Sequence, residues 1–164
     1  MKKPESLKSI LLEAVPDLAA APDKLALFVD KGSVASRGTA SLSFEYRYTL
    51  SLVVMDYAGD VDALMVPVLA WIAREQPDLL FRDGQEPFSF EVEILDGNTA
   101  DVSIAIELTE RVRVERTAGG LRTEHLSDVQ SADEFAGVTG VSLLAGLAED
   151  LADGTVQLVA SSNR

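Results

Sequence analysis

The chain has 164 residues, of which 47% are hydrophobic and 25% charged, values that suit one domain with a buried core plus an appendage. Its formal net charge of −13 argues against a general nucleic-acid binder and against docking on an anionic membrane, because both need a positive surface. It has no cysteine and one histidine, which excludes disulfides and a Cys–His catalytic pair. The apolar runs are too short for a membrane span or a secretory signal, so we expect a soluble protein made in the cytoplasm.

The first part of the chain predicts a helix followed by two strands. Residues 4–15 carry apolar side chains at helical spacing, and Pro16 and Pro22 then break the chain into turns. Residues 25–29 form a short apolar strand that ends at Asp30-Lys31-Gly32. From residue 42 to residue 57 apolar and polar side chains alternate, which predicts a long half-buried strand.

A second helix is predicted after Gly59. Asp60 or Asp62 would cap its first turn, while Pro67 lies too far in for that turn, so it kinks the helix or the helix starts later. Gln76-Pro77 ends it. The core should form where this helix packs on the long strand, from Phe44, Tyr46, Tyr48, Leu50, Val68 and Ile72.

The following segment predicts a hairpin and one more short strand. Residues 88–94 and 102–116 alternate in the same way, with Asp96-Gly97-Asn98 as the turn between them. Gly119-Gly120 leads into a strand over residues 121–126. We therefore expect two or three consecutive strands here.

The last part of the chain reads as an appendage. Residues 127–140 are small and acidic and predict a linker, residues 141–151 a helix, and residues 155–160 a strand. The arm can fold back on its own domain, but a flexible linker favours reaching a neighbouring subunit. Its candidate subunit-interface residues are Leu143, Leu147, Leu151, Val156 and Leu158.

This order of elements, α-β-β-α-β-β(-β), predicts an α+β fold with a mostly antiparallel sheet and helices on one face. We expect a domain over residues 1–126 and a linker with a helix–strand arm over residues 127–164.

No catalytic constellation, cofactor motif or metal site is evident. His125 lies in a charged stretch and is expected to be solvated. Asp56, Asp60 and Asp62 could bind a hard cation, but turn and cap roles explain them more simply. Glu91 and Glu93 fit the solvent face of an alternating strand better than an acid/base pair.

Charged side chains on two of the predicted strands are candidate interface residues. Arg111, Arg113 and Arg116 form a row in which Glu110 and Glu115 are interleaved, so a mixed-charge surface or subunit interface is favoured over a phosphate groove. The residues selected as candidate subunit-interface positions on the strands are Glu45, Arg47, Arg111 and Arg113.

Several blocks carry a likeness to a known family, in consistent order: residues 27–30 (LFVD), 32–36 (GSVAS), 40–50 (ASLSFEYRYTL), 55–62 (MDYAGDVD), 66–72 (VPVLAWI), 76–80 (QPDLL), 103–104 (SI) and 108–111 (LTER). Together they resemble the tail completion protein R family of P2-like contractile-tailed phages. The likeness runs from Pro4 to about Glu115 and does not reach the predicted arm.

The resemblance implies a structural virion protein rather than an enzyme, with no catalytic residues or cofactors to carry over. It implies a protein that completes the tail, caps the tail tube and makes the tail competent for head joining. The element order is also similar to that of ring-forming tail terminators, which is fold-level analogy. Alternatives are a head–tail joining (neck) protein and an assembly chaperone absent from the mature virion.

Such a role implies specific partners and a location. We expect a homo-oligomeric ring, a hexamer, in contact with the tail tube or sheath protein and with the head–tail connector. The protein would be in the host cytoplasm during assembly and then at the head-proximal end of the virion tail. We expect no direct nucleic-acid recognition.

Overall fold

A computed structural model describes residues 1–36, 38, 41–95 and 98–127. The fold is α+β, a five-stranded sheet in which every strand pair is antiparallel, with a few helices. The helices are α1 (Lys3–Ala14), α2 (Pro16–Ala20) and α3 (Asp62–Glu75), with 3₁₀ turns at Pro22–Lys24 and Pro77–Leu80. The strands are β1 (Leu25–Ser36), β2 (Phe44–Tyr57), β3 (Ser89–Ile94), β4 (Ala100–Thr117) and β5 (Gly120–Leu126).

The strand β4 organises the sheet because three strands pair with it. The order is β1-β2-β4-β3, and β5 also pairs with β4. The β4 residues that pair with β3 end at Ala105, and those that pair with β5 begin at Arg111. Strands β3 and β5 therefore lie in line along the edge of β4 that faces away from β2. Residues 106–110 of β4 lie between them.

The core lies between the helices and one face of the sheet, called the inner face below. Tyr48, Leu50 and Leu52 of β2 alternate with outward-facing residues, as the period of two in a strand requires. Helices α1 and α3 pack against each other above this face, and Trp71 Nε1 donates a 3.1 Å hydrogen bond to Ser6 Oγ. The buried cluster includes Leu7, Leu11, Leu18, Leu64, Val68, Trp71, Ile72, Val102, Ile104, Ile106 and Leu108.

The predicted core was right for four of its six members. Tyr48, Leu50, Val68 and Ile72 are buried, but Phe44 and Tyr46 are only half-buried. The rings of Phe44 and Tyr46 meet edge-on, with centroids 4.8 Å apart, near the start of β2. The strand begins at Phe44, two residues later than predicted.

The amino-terminal elements differ from the sequence prediction in two places. The stretch after Pro16 forms the short helix α2, in which Pro16 occupies a first-turn position where its missing N–H costs nothing. Strand β1 does not end at Asp30-Lys31-Gly32 but continues to Ser36, because a bulge between Val29 and Gly32 absorbs the irregularity.

Helix α3 starts at Asp62 and runs through Pro67, which is buried. The predicted side-chain N-cap is wrong, since Val61 occupies that position. Asp60 instead accepts a 3.0 Å hydrogen bond from the N–H of Asp62 at its carboxylate, an Asx-type turn that leads into the helix.

The turn before α3 is shaped by a close contact between Tyr57 and Gly59. A Cβ atom added to Gly59 would lie 2.5 Å from Tyr57 Oη and 2.7 Å from its Cζ. The Tyr57 hydroxyl donates to the carbonyl of Asp60 at 3.2 Å, and the ring is 5% exposed. Burial, with the nearby carboxylates of Asp17 and Asp60, raises the pKa of Tyr57 to about 12, so the hydroxyl keeps its proton.

Parts of the predicted architecture lie outside the described residues. These are Asp96 and Gly97 of the hairpin turn and all of the arm from residue 128 onward, with its interface candidates Leu143, Leu147, Leu151, Val156 and Leu158.

Candidate interaction surface

Four of the sequence-predicted interface residues lie together on the outer face of the sheet, opposite the helices. Glu45 on β2 pairs directly with Arg111 on β4, so their side chains share one face. Arg47 and Arg113 lie two residues further along their strands and therefore also point outward. Among the described residues, helices pack only on the inner face, so this face is open to a partner.

The arginines of this face already interact with neighbouring groups. Arg47 Nε lies 2.7 Å from a Glu45 carboxylate oxygen, while Arg113 lies 3.8 Å from Glu124 and 3.4 Å from Glu115. One Arg111 guanidinium nitrogen donates to the carbonyl of Ser127 at 3.4 Å. The side chains stay 49–63% exposed at Arg113 and Arg47, so these ion pairs add little to stability and remain available for exchange with a partner.

A shallow groove of about 290 Å³ runs beside these residues where β1, β2, β4 and β5 approach one another. It is lined by both charged and apolar groups, a composition that suits a protein partner better than a small molecule. The lining includes Ala35, Phe44, Glu45, Arg111, Arg113 and Leu126.

The other end of the same outer face is acidic. Glu93 on β3 pairs directly with Asp101 on β4, and Glu91 follows on the same side with Ser103 as its partner. Asp101 lies ten positions before Arg111 along β4, which is about 34 Å at the rise of a strand. The arginine-rich end holds Arg47, Arg111, Arg113 and Arg122 among four glutamates, so it is of mixed charge whereas the other end is acidic.

A buried polar cluster lies below, on the inner face, and is centred on Glu110. Its carboxylate is 4% exposed and accepts hydrogen bonds from the Tyr48 hydroxyl at 2.5 Å and from the N–H groups of Lys2 and Lys3 at 2.8 and 3.4 Å. His125 Nδ1 lies 3.0 Å from its second oxygen. The first N–H groups of α1, which the helix itself does not pair, thus bind a carboxylate, and the helix dipole also favours a negative charge there.

Opposing effects set the charge of this carboxyl. Burial acts to raise the pKa of Glu110, but hydrogen bonds from Tyr48, Lys2 and Lys3, together with the terminal ammonium charge, outweigh burial and hold it below the ordinary value. Burial and the same contact with Glu110 raise the pKa of Tyr48 far above its usual range. Tyr48 is therefore a fixed donor and Glu110 a fixed acceptor, an arrangement suited to holding structure rather than to transferring protons.

Gln76, just after α3, fills the gap between β3 and β5. Its side-chain oxygen accepts the N–H of Thr109 at 3.0 Å, and its amide donates to Thr109 Oγ1 at 3.4 Å. Lys3 Nζ donates to the same oxygen at 2.9 Å. A fully buried side chain thus supplies the hydrogen bond that a partner strand would otherwise give to β4.

Two sequence interpretations are corrected by this cluster. Glu110 does not interleave with Arg111 and Arg113 on the surface, because it points to the opposite face of β4. His125 is only partly solvated, since its side chain is 24% exposed and contacts Glu110. The signal for Glu110 was available: it occupies the inward position that follows Leu108 in an otherwise apolar alternation.

The remaining chemical candidates stay on the surface. Glu91 and Glu93 are both exposed. The backbone of Asp56 has a φ of 48°, a left-handed conformation that is typical of a turn. Within the part of the chain that the structure describes, no group of three or more His, Asp or Glu side chains is arranged to hold a metal ion. No described helix has both the length and the apolar character that a membrane crossing needs.

Comparison with known proteins gives one family and one close relative. The family described as P2 phage tail completion protein R matches residues 1–130. Tail completion protein R of Escherichia phage P2 is 47% identical over 130 residues, which covers 78% of this chain and 84% of the relative. No solved structure matches the chain.

Proposed function

This chain belongs to the P2 phage tail completion protein R family, a family of structural phage proteins, and from that membership we propose that it caps the tail tube at the end facing the head. By closing the tube it makes the tail competent to join a head. The observation that supports this most strongly is the 47% identity to tail completion protein R of phage P2 over 130 residues.

A ring with the same rotational symmetry as the tube can repeat one contact with every subunit at the tube end, so the proposed assembly is a hexameric ring. Ring closure needs a heterologous contact, in which one surface of a subunit meets a different surface of the next. We infer the ring also from the expected similarity of the element order to ring-forming tail terminators, an analogy at the level of the fold.

The outer sheet face is the proposed subunit interface. Its arginine-rich end, with Arg47, Arg111 and Arg113, carries both signs of charge, whereas the end that carries Glu93 and Asp101 is acidic. Arginines at one end and an acidic group at the other suit a head-to-tail contact, where the first end of one copy meets the second end of the next. Glu45 would help to set the register of that contact.

The acidity of the chain suits a ring through which DNA passes. The net charge of −13 repels phosphates, so the genome would not adhere to the subunits while it leaves the head. The proposed partners are the tail tube or sheath protein on one side and the head–tail connector on the other. The protein would assemble in the host cytoplasm and remain in the virion.

Cryo-electron microscopy of complete tails tests this proposal, with tails that lack the protein as the matched control. We expect a ring of density at the head-proximal end of complete tails that is missing from the control. Mass spectrometry of purified virions distinguishes an assembly chaperone, which would be absent from them. Density on the head side of the junction, in place of the tail end, would contradict capping and indicate a neck protein.

A further inference from the structure

The helix layer on the inner face stops before it reaches β3. Phe90 and Val92 on β3 pair with Ile104 and Val102 on β4, so all four side chains point toward the helices. The two β4 residues are at most 1% exposed, whereas Phe90 is 55%, Val92 38% and Ile94 76% exposed. The three β3 residues form what we call the uncovered β3 surface.

Helix α3 also carries exposed apolar side chains. Leu69 is 39% exposed, although it lies one turn after Met65, which packs against the core. Val66 on the same helix is 38% exposed. Exposed apolar side chains on both a strand and a helix of one domain are typical of a protein interaction site.

The chain itself contains a segment of the right size and chemistry. Residues 128–164 follow the last described residue, and within them residues 141–148 (VSLLAGLA) carry no charge. Leu143, Leu147 and Leu151 recur at the spacing of one helix face. A helix over residues 141–151 would be about 16 Å long, comparable to the roughly 20 Å of the six-residue β3.

The exit of the chain from β5 leaves a neighbouring copy within reach of the segment. Leu126 pairs with Arg111, and the next positions along β4 are closed by the Gln76–Thr109 contact, so the chain cannot continue along β4 toward its own β3. Residues 128–140 can span up to about 45 Å. That exceeds the width of a domain of this size, roughly 35 Å, so the linker is long enough for residues 141–151 to reach an adjacent copy.

We propose that residues 141–151 of each copy pack as a helix on the uncovered β3 surface of the neighbouring copy, beside α3, and complete its helix layer. The proposal rests on the ring described under Proposed function. It identifies an acceptor surface separate from the charged outer face, so each subunit would contact the next through two surfaces.

The absence of cysteine permits a disulfide test in full-length protein. Tails are assembled from equal amounts of two variants, one with Ile94→Cys and the other with Leu147→Cys, and then mildly oxidised. We expect a disulfide-linked dimer that joins the two variants. The matched control replaces Ile94→Cys with Glu91→Cys, on the same strand but the opposite face, and should give several-fold less dimer.

Three outcomes would overturn the proposal. One is equal dimer yield in the control. Another comes from a separate variant that carries both Ile94→Cys and Leu147→Cys in one chain. If the disulfide forms only within that chain, the segment folds on its own domain. A third is tail-bound protein without any disulfide, which would leave the β3 surface to another tail protein. If tails contain no copy of the protein, the proposed function fails as well, so the two failures are distinguishable.

Discussion

The carboxylate of Glu110 accepts a 2.8 Å hydrogen bond from the backbone N–H of Lys2, 108 residues away along the chain. The same carboxylate binds the N–H of Lys3 and the hydroxyl of Tyr48. One buried side chain thus ties the beginning of α1 to the two central strands of the sheet.

Glu110→Gln should destabilise the fold, because the new amide group would place N–H donors opposite other donors. We expect a loss of about 2–3 kcal/mol in the free energy of unfolding, measured by urea denaturation. Glu107→Gln is the matched control, three positions earlier on β4 and exposed, where it accepts from Thr49. It should change stability by less than about 0.5 kcal/mol. Equal effects at the two sites would contradict the role given to Glu110.

The stability contributed by Glu110 should depend on pH in the acidic range. Burial acts to raise its pKa, but the hydrogen bonds hold the folded-state pKa below the ordinary value of 4.5. Its contribution is therefore complete above that value and is lost as the pH falls through the lowered folded pKa. Between about pH 5 and pH 3 the wild-type protein should lose more unfolding free energy than Glu110→Gln. Parallel pH profiles for the two proteins would exclude this linkage.

Gly59→Ala should destabilise the turn before α3, since the added Cβ meets the buried ring of Tyr57. Overpacking of this kind costs about 1–3 kcal/mol. In a Tyr57→Leu background the clashing atoms are gone, so the same substitution should cost less than about 0.5 kcal/mol. A thermodynamic double-mutant cycle measures the difference. A cost that is the same in both backgrounds would show that backbone conformation, rather than the Tyr57 contact, requires glycine.

Reversing charge on the outer face should impair tail completion without unfolding the protein. Arg47→Glu and Arg113→Glu each place a like charge against the proposed acidic partner surface, and we expect complementation of a phage lacking the protein to fall roughly tenfold or more. Arg74→Glu is the control, on the helix side and 47% exposed. Its phage yield should match wild type. An equal loss for all three variants would remove the case for this face.

The isolated protein should not bind DNA. Its net charge of −13 gives phosphates no counterion-releasing surface, and the outer-face arginines are interspersed with glutamates. Gel-shift assays at physiological salt with duplex and single-stranded DNA measure this directly. Binding at micromolar protein that weakens with salt would show that the arginines act as a phosphate site.

The α+β class and the two central strands could be predicted because β2 and β4 bury one face and leave the other polar. The alternation is unbroken over most of each strand, as in Tyr48, Leu50 and Leu52. Strand β1 was predicted too short because its end lies at the sheet edge, exposed on both sides. There Asp30-Lys31-Gly32 resembles a turn in sequence, and only the pairing with β2 distinguishes the two.

The candidate site was predictable in its composition but not in its arrangement. The sequence allowed four charged strand residues to be selected, namely Glu45, Arg47, Arg111 and Arg113. Only the pairing of Glu45 with Arg111 shows that the two on β2 lie beside the two on β4. The Glu110 cluster depends on contacts between the first residues of the chain and residues on β2, β4 and β5. No local pattern predicts that the N–H groups of α1 would lie at the end of a strand more than a hundred residues later.

The position of Gln76 makes the length of α3 an evolutionary constraint. Adding or removing one residue within α3 would rotate everything after it by about 100° and shift it by about 1.5 Å. Gln76 would then swing out of the gap, leaving the N–H of Thr109 and the ammonium of Lys3 without the oxygen that they share. Insertions and deletions among relatives should therefore be excluded from α3 and tolerated in the exposed loop over residues 81–86, where no such side chain couples the helix to the sheet.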